Sequence, residues 1–289
     1  MFQLASRCAE KTGPYRADQN TSLNPPESNY SILDASRKCF WELVGMDLYF
    51  HMFHNKPLLM QKHWNCAKVN LPWLAEAESQ EKADSVTTIR FLLDSRRTFI
   101  LMKFWTLLQD AKSRPDPELL PKTEALCAEI ESLYEQWSIQ KDALVKDLIN
   151  SGGQLWTIAG LALEGHAWIL SMLQHILKLT SARKDWDRMD GRAPEPDIAI
   201  FPRAVSTSRR MVEAVGSILS TIPSSGTVAV TFTVFRAHVA CACLTVNRER
   251  RVTDEHDNDA ALLERVARHL GLTAGEHEEI MPLSALLKV

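Results

Sequence analysis

Residues 34–54 read DASRKCFWELVGMDLYFHMFH, and this stretch decides the fold class of the chain around it. Its apolar side chains recur at intervals of three and four residues, at Phe40, Trp41, Val44, Leu48 and Met52. That spacing places them on one face of an α-helix, the face that a globular protein turns towards its core. Pro57 follows shortly afterwards and cannot continue a helix. We therefore predict a core helix over 34–54 with a buried Trp41.

The same periodicity continues along the chain and predicts further helices at 86–112, 121–150, 155–178, 203–221 and 258–270. The segment 227–246 is ambiguous, because its β-branched beginning is typical of a strand. Its length favours a helix, which we predict. Between 179 and 202, Asp, Arg and Pro residues predict an internal polar loop. The expected architecture is all-α, a single large and irregular helical domain over residues 1–289.

The charge balance argues against a protein that binds nucleic acid on its own. Lys and Arg total 33 and Asp and Glu total 36, so the formal net charge is −3. Nucleic-acid binders usually carry a basic surplus that pairs with phosphates. The basic pairs in this chain, such as Arg209-Arg210, do not extend into a stripe and are typical of solvated helix faces. We expect no direct DNA binding by this chain.

Cysteine usage and hydropathy indicate an intracellular protein. No two cysteines have C-x-x-C spacing, which leaves zinc and redox motifs unsupported. No apolar leader is visible at the N-terminus. The apolar segments 155–177 and 228–246 carry Glu164 and Arg236, charges that are costly inside a bilayer. We read both segments as core helices and expect a nuclear or cytoplasmic protein without a membrane anchor.

A family resemblance is carried by several short motifs that occur in order. The run Arg37 to Leu43 contains two basic residues and then Phe-Trp; it is followed by Asp47, by Asn55-Lys56-Pro57 and by Leu71-Pro72. This succession resembles the fungal-specific transcription factor domain, the middle homology region of binuclear zinc cluster regulators. That family has a basic run, an aromatic-Trp pair, an Asp, a Gly-Arg-Pro turn and a Leu-Pro pair. The apolar helix around 166–177 resembles the family's central helix.

The resemblance implies an all-helical regulatory domain, located in the nucleus, that sets the activity of a transcription factor. Two departures from the family pattern stand out. Its Gly-Arg-Pro turn reads Asn55-Lys56-Pro57 here, and its six-cysteine DNA-binding cluster has no counterpart in the sequence. The family's opening helices also have no counterpart, so we expect the chain to begin part-way into the family domain.

The helix over 34–54 carries one constellation with the chemistry of a metal site. Asp47, His51 and His54 are spaced by four and three residues and share a helix face. The alternative is a structural arrangement in which Asp47 reaches Lys56 across the helix end, as the family's Asp and Arg positions imply. We favour the structural motif, formed by Trp41, Asp47, Lys56 and Pro57, and expect no metal.

The helix over 155–178 carries a second constellation. Glu164, Trp168, Ser171 and His175 return to one face of an otherwise apolar helix. The stripe is either a satisfied core network, a water-facing stripe, or the wall of a small-molecule pocket. In a pocket, Glu164 and His175 would act as acid, base or hydrogen-bonding groups, and Trp168 and Ser171 would line it. Trp64 and Trp73, in an irregular segment, are further candidates for the lining.

Two functions from different classes therefore stand side by side. The first is a regulator-like protein without its own DNA-binding module, linked to specialised metabolism, that acts through a protein partner or as a homodimer. The alternative is a small-molecule-binding enzyme of fungal natural-product biosynthesis, a cyclase or cycloaddition catalyst that holds a reactive conformer. No phosphate-binding or dinucleotide motif is present in the sequence, so neither function is expected to use a cofactor.

Overall fold

The computed structural model describes residues 8, 11, 13–14, 18, 30–60, 69–70, 85–114, 116–136, 154–186, 198–222, 224–250 and 255–274. Every regular element in these ranges is a helix and none is a strand, which confirms the prediction of an all-α protein. Two compact units divide the chain, Met1–Thr106 and Leu107–Val289. They are described separately below, and the prediction of one family domain over residues 1–289 stays a prediction.

The helices follow one another with short connections where these are described. In chain order they are α1 (Tyr30–His54), α2 (Ser85–Ser113), α3 (Leu119–Gln136), α4 (Gln154–Trp186), a 3₁₀ turn (Ile198–Ile200), α5 (Pro202–Thr221), α6 (Ser225–Ala229), a π-helical turn (Val230–Val234), α7 (Ala237–Arg250) and α8 (Glu255–Ala274).

Most of the predicted helices are confirmed, with boundaries that differ by a few residues. The polar loop predicted for 179–202 was wrong at both of its ends. Helix α4 continues to Trp186, and Ile198–Ile200 form the 3₁₀ turn that leads into α5. The residues after Leu177 include Lys, Ala and Arg, which are good helix formers, so polarity alone does not end a helix there. The predicted helix 121–150 is present as far as Gln136, and its remainder lies outside the described residues.

The ambiguous segment 227–246 is helical, as predicted, but it is broken. Helix α6 runs into the π-helical turn, and the axis then bends by 71° before α7. Arg236 stands at the bend with a φ of 54°, a left-handed conformation that costs energy for a residue with a side chain. The Nδ1–H of His238 donates to the Phe232 carbonyl oxygen at 3.0 Å and so supplies one partner that the broken helix lacks.

Among the described helices, no single one has the length and apolar composition needed to cross a membrane. The bent pair formed by Gly226–Val234 and Ala237–Arg250 meets those criteria only when its two parts are counted together.

In the first unit, the predicted apolar face of α1 forms the core. Phe40, Val44 and Leu48 have no exposed surface, and Trp41 is 4% exposed, which confirms the predicted burial of Trp41. The indole Nε1–H of Trp41 donates to the Asn70 carbonyl oxygen at 3.0 Å. A buried indole N–H usually finds such a partner. The bond therefore satisfies the Nε1–H donor and fixes the orientation of the ring.

In the second unit, α5 is the central helix. It packs against α4, α7, α8 and the 3₁₀ turn. Pro202 at its first position has a fixed φ that suits a helix start. The side of α5 turned to its neighbours consists mainly of small and aliphatic residues, namely Ala204, Val205, Thr207, Ser208, Met211, Val212, Val215, Gly216, Ile218 and Leu219. This composition lets four elements approach one helix closely.

We predict that replacing Trp41 with Ala lowers the free energy of unfolding by about 3–5 kcal/mol, the range for deleting a buried aromatic side chain. Urea titrations followed by circular dichroism measure this change. The matched control is Met46→Ala on the same helix, because Met46 is 44% exposed and its loss should cost less than about 0.5 kcal/mol. Equal stability of Trp41→Ala and wild type would contradict the assignment of α1 as a core element.

Candidate functional site

The stripe predicted on the apolar helix lies on α4, in the second unit, and its four residues differ in burial. Trp168 is 4% exposed and Ser171 is 2% exposed, so both belong to the core. Glu164 and His175 are half-buried and retain contact with solvent. The stripe therefore has two buried residues and two that contact solvent. The roles predicted for all four residues stay predictions.

The polar atoms of the stripe differ in how they are satisfied. The Nδ1–H of His175 donates to the Ser171 carbonyl oxygen, one turn earlier, at 2.8 Å. In the neutral ring this bond leaves Nε2 as a proton acceptor. The Ser171 hydroxyl is buried and has no hydrogen-bond partner among the described residues. An unpaired buried hydroxyl is costly, and it is the feature of this stripe that a bound molecule would relieve.

A neighbouring histidine that the site prediction left out has the clearest electrostatic perturbation on α4. His166 keeps part of its surface exposed, but the protein atoms packed around it lower its pKa to about 4. The charge of Arg210 on α5 contributes in the same direction. Next to it, Gly165 brings α4 close to α3, because a Cβ there would lie 2.9 Å from the Tyr134 ring. His166 is therefore neutral at pH 7.

Two arginines of α5 join this helix to α3 through two glutamates. Arg203 binds Glu124 through Nε and Glu131 through Nη1. Arg210 binds the other oxygen of Glu131 through Nη2. Cys127 lies beside these groups in α3, where burial raises the pKa of its thiol to about 12 and makes it unreactive. We call Glu124, Glu131, Arg203 and Arg210 the α3–α5 ion cluster.

The expectation that Arg209-Arg210 is a solvated basic pair holds for Arg210, whose side chain is 44% exposed, but not for Arg209, which binds a buried carboxylate. Arg210 belongs to the α3–α5 ion cluster, and Arg209 binds Asp259 of α8, with Nε to Oδ1 at 2.6 Å and Nη2 to Oδ2 at 3.1 Å. Asp259 has no exposed surface and also accepts a bond from Asn247 Nδ2 of α7 at 3.2 Å. Partners on two different helices, α3 and α8, cannot be read from the spacing of two adjacent arginines.

In the first unit, the structure corrects one part of the structural motif predicted on α1, namely the partner of Asp47. The Asp47 carboxylate is 1% exposed and accepts bonds from the backbone N–H groups of Leu59, at 3.0 Å, and Met60, at 2.7 Å. It does not bind the side chain of Lys56, which is exposed, and Pro57 lies between the helix end and these amides. Burial raises the pKa of the Asp47 carboxyl, against the opposing effect of the two amides and His51.

The hydrogen bonds of Asp47 and His51 are also relevant to the alternative interpretation, in which Asp47, His51 and His54 bind a metal ion. Both oxygens of Asp47 accept backbone N–H groups, and the Nδ1–H of His51 donates to the Lys56 carbonyl oxygen at 2.6 Å. In the described ranges, no group of three His, Cys, Asp or Glu side chains has the geometry to hold a metal ion. Trp64 and Trp73, the other candidates for a pocket lining, lie outside the described residues.

Comparison of the chain with models of known protein families, with characterised proteins and with solved structures found no match.

We predict that the stability of the second unit falls as the pH is lowered from about 6.5 to about 4, partly because of His166. Its folded pKa is about 4 and its ordinary value is 6.5, so in this window the unfolded chain binds a proton that the folded chain does not. Unfolding free energies measured by urea titration at several pH values should therefore decline more gently in His166→Gln.

The substitution control is His54→Gln at an exposed position, which should keep the wild-type decline because His166 is still present. An identical decline in His166→Gln and wild type would show that His166 is not held neutral in the fold.

Proposed function

We propose that this chain is a regulatory helical domain of the kind found in fungal transcription regulators, linked to a specialised-metabolism pathway. It acts on transcription through a protein partner or a second copy of itself, in the nucleus or cytoplasm, without binding DNA directly. The observation that carries the proposal is the bonding between the motif residues of α1 and the chain that follows this helix.

Hydrogen bonds of two α1 residues join this helix to the chain that follows it, where the later motifs of the resemblance occur. Trp41 donates to the carbonyl oxygen of Asn70, the residue just before Leu71-Pro72. The Asp47 carboxylate accepts hydrogen bonds from the backbone N–H groups of Leu59 and Met60, which follow Pro57 closely in the sequence. The order of the Trp, the Asp six residues later and the Pro turn thus has a physical reason, while Leu71-Pro72 lie outside the described residues. The bonding supports the view that these residues are one structural unit and not a chance pattern.

A salt bridge also connects the basic run of the motif to this group of bonded residues. Arg37, from the basic run, binds both oxygens of Asp18, with Nε to Oδ1 at 3.0 Å. Asp18 also accepts the backbone N–H of Asn70 at 2.7 Å. Burial acts to raise the pKa of Asp18, but Arg37 and the Asn70 amide outweigh it and lower that pKa. The basic run of the motif therefore has a structural partner of its own.

The state of the arginines supports a function without direct DNA contact. Three arginines of α5, namely Arg203, Arg209 and Arg210, are bound to carboxylates. An arginine must leave its carboxylate before it can neutralise a phosphate, which removes much of the electrostatic gain of DNA binding. Together with the net charge of −3, this arrangement favours a regulator that reaches DNA only through a partner.

A tethering assay tests the proposed regulatory activity. The chain is fused to an unrelated DNA-binding module, and transcription of a reporter carrying that module's site is measured in a fungal cell. We expect a several-fold change relative to the module alone, and loss of the change in Asp47→Ala, which removes the acceptor shared by the Leu59 and Met60 amides. The matched control is Glu42→Ala, an exposed carboxylate on α1, which should behave like wild type at equal protein level. Reporter output equal to that of the module alone would contradict the proposal.

A gel-shift assay with the purified chain tests the absence of direct DNA binding. At physiological salt we expect no sequence-selective complex with random or promoter-derived duplexes. Selective binding at nanomolar concentration, the affinity typical of specific DNA readers, would contradict this part of the proposal.

The alternative, a small-molecule-binding enzyme, is favoured by one observation on α4. The Ser171 hydroxyl is buried beside the buried Trp168 on the same stripe and has no partner within the described residues. A ligand with a hydrogen-bonding group would satisfy that hydroxyl, and Glu164 and His175 would then serve as acid or base. Native mass spectrometry of the purified chain separates the two functions. An apolar molecule that is retained by wild type and lost in Ser171→Val favours the enzyme.

A further inference from the structure

Ser206 lies on the exposed side of α5, between two arginines of the same helix face. Its side chain is exposed, and its hydroxyl donates to the Arg203 carbonyl oxygen at 3.0 Å. Arg203 precedes it by three residues and Arg210 follows it by four. Residues at these spacings are neighbours on a helix surface. A negative group on Ser206 would therefore stand within reach of both guanidinium groups.

Both arginines are already bound, and they share one carboxylate. Glu131 of α3 binds Arg203 through Oε2 and Arg210 through Oε1, while Arg203 also binds Glu124. The side chains of Arg203 and Arg210 are 26% and 44% exposed. Pairs that retain contact with water are weak and exchange partners readily. The α3–α5 ion cluster is therefore a contact that a stronger anion can take apart.

We propose that Ser206 is a phosphorylation site for a protein kinase that recognises an arginine three residues before the serine. The Ser206 Oγ attacks the γ-phosphorus of ATP, forming an O–P bond as the bond to the β-phosphate oxygen breaks. The hydroxyl proton passes to the catalytic base of the kinase, and ADP leaves. The phosphate then forms ion pairs with Arg203 and Arg210, which no longer bind Glu131.

The start of α5 suits the opening that a kinase requires. Phe201 occupies the N-cap position and provides no side-chain hydrogen bond, and the first turn contains no acidic residue. A helix end without a side-chain cap, and without a carboxylate to balance the helix dipole, opens more readily than a capped one. Opening of the first two turns exposes Arg203, Ser206 and the intervening backbone for recognition. It also removes Ala204 and Val205 from the core, so the kinase acts on a transiently opened state.

The consequence for the fold follows from the charges. A phosphoserine carries about −1.5 to −2 charges and three acceptor oxygens, so it competes with a carboxylate for two arginines. Once Arg203 and Arg210 turn to it, Glu124 and Glu131 lose their partners and face a new negative group. Both effects weaken the attachment of α3 to α5. Phosphorylation at Ser206 thus loosens the attachment of α3 to α5, while α3 keeps its packing against α4.

The first experiment asks whether the residue is modified. The full chain is incubated with ATP and a kinase of arginine-directed specificity, and the phosphopeptides are mapped by mass spectrometry. We expect one phosphoryl group on Ser206, its loss in Ser206→Ala, and its strong reduction in Arg203→Gln. Ser220 is the internal control, because it is exposed on the same helix with Ser217 at the corresponding position. No phosphate on Ser206, while the kinase modifies a standard substrate, overturns the site.

The second experiment asks whether the phosphate exchanges the ion pairs. Phosphoserine is installed at position 206 of the full chain, and hydrogen exchange is measured for the amides of α3. We expect exchange about fivefold faster than in the unmodified chain, the factor for losing about 1 kcal/mol of exposed ion pairing. In a Glu131→Gln background the acceleration should be smaller, because the shared carboxylate is already absent.

Phosphoserine at position 220 is the matched control, because neither Ser217 nor Ser224 supplies an arginine there, and it should leave α3 unchanged. Unchanged exchange of α3 with phosphoserine at 206, or an equal acceleration in the Glu131→Gln background, overturns the proposed exchange of partners.

Discussion

A carboxylate with no exposed surface organises the second unit. Asp259 of α8 is wholly buried, and an ion in the interior is tolerated only when it is paired and hydrogen-bonded. Arg209 of α5 supplies two bonds and Asn247 of α7 supplies a third. Because the three groups come from three helices, the requirement to satisfy one carboxylate fixes how those helices meet. The apolar packing of α5 then fills the space that this polar contact defines.

Helix α5 extends this arrangement to its other neighbours. Arg203 and Arg210 join it to α3, and Gly216 leaves room for Arg265 of α8, whose Nε would lie 2.8 Å from a Cβ at that position. The described ion pair between α5 and α8 has a fully buried carboxylate, Asp259, whereas the carboxylates that join α5 to α3 keep contact with solvent. The exposed contacts are the ones that a change of charge can alter. The first unit uses a related device, since the buried Asp47 holds two backbone amides of the chain beyond α1.

The fold class could be predicted from the periodicity of apolar residues, but the contacts between helices could not. Apolar spacing located α1, α4 and α5 because the repeat of a helix is local in sequence. It did not locate the π-helical turn or the bend at Arg236, where tertiary packing overrides local preference. The partners of Arg203 and Arg210 lie 72 and 79 residues away, a separation at which no spacing rule applies. In the candidate site, the stripe predicted which residues share a face, but the perturbed histidine, His166, was identified only from its three-dimensional surroundings.

The role of Asp259 in the second unit is tested most directly by comparing two arginine substitutions. Arg209→Met removes the partner of a wholly buried carboxylate, and Arg268→Met removes the partner of Glu264 in a pair whose side chains are 68% and 74% exposed. Both changes delete the same charge. We expect Arg209→Met to lower the free energy of unfolding by about 3–5 kcal/mol. For Arg268→Met we expect a loss below about 1 kcal/mol. Equal losses in the two variants would contradict the claim that Asp259 fixes the meeting of α5, α7 and α8.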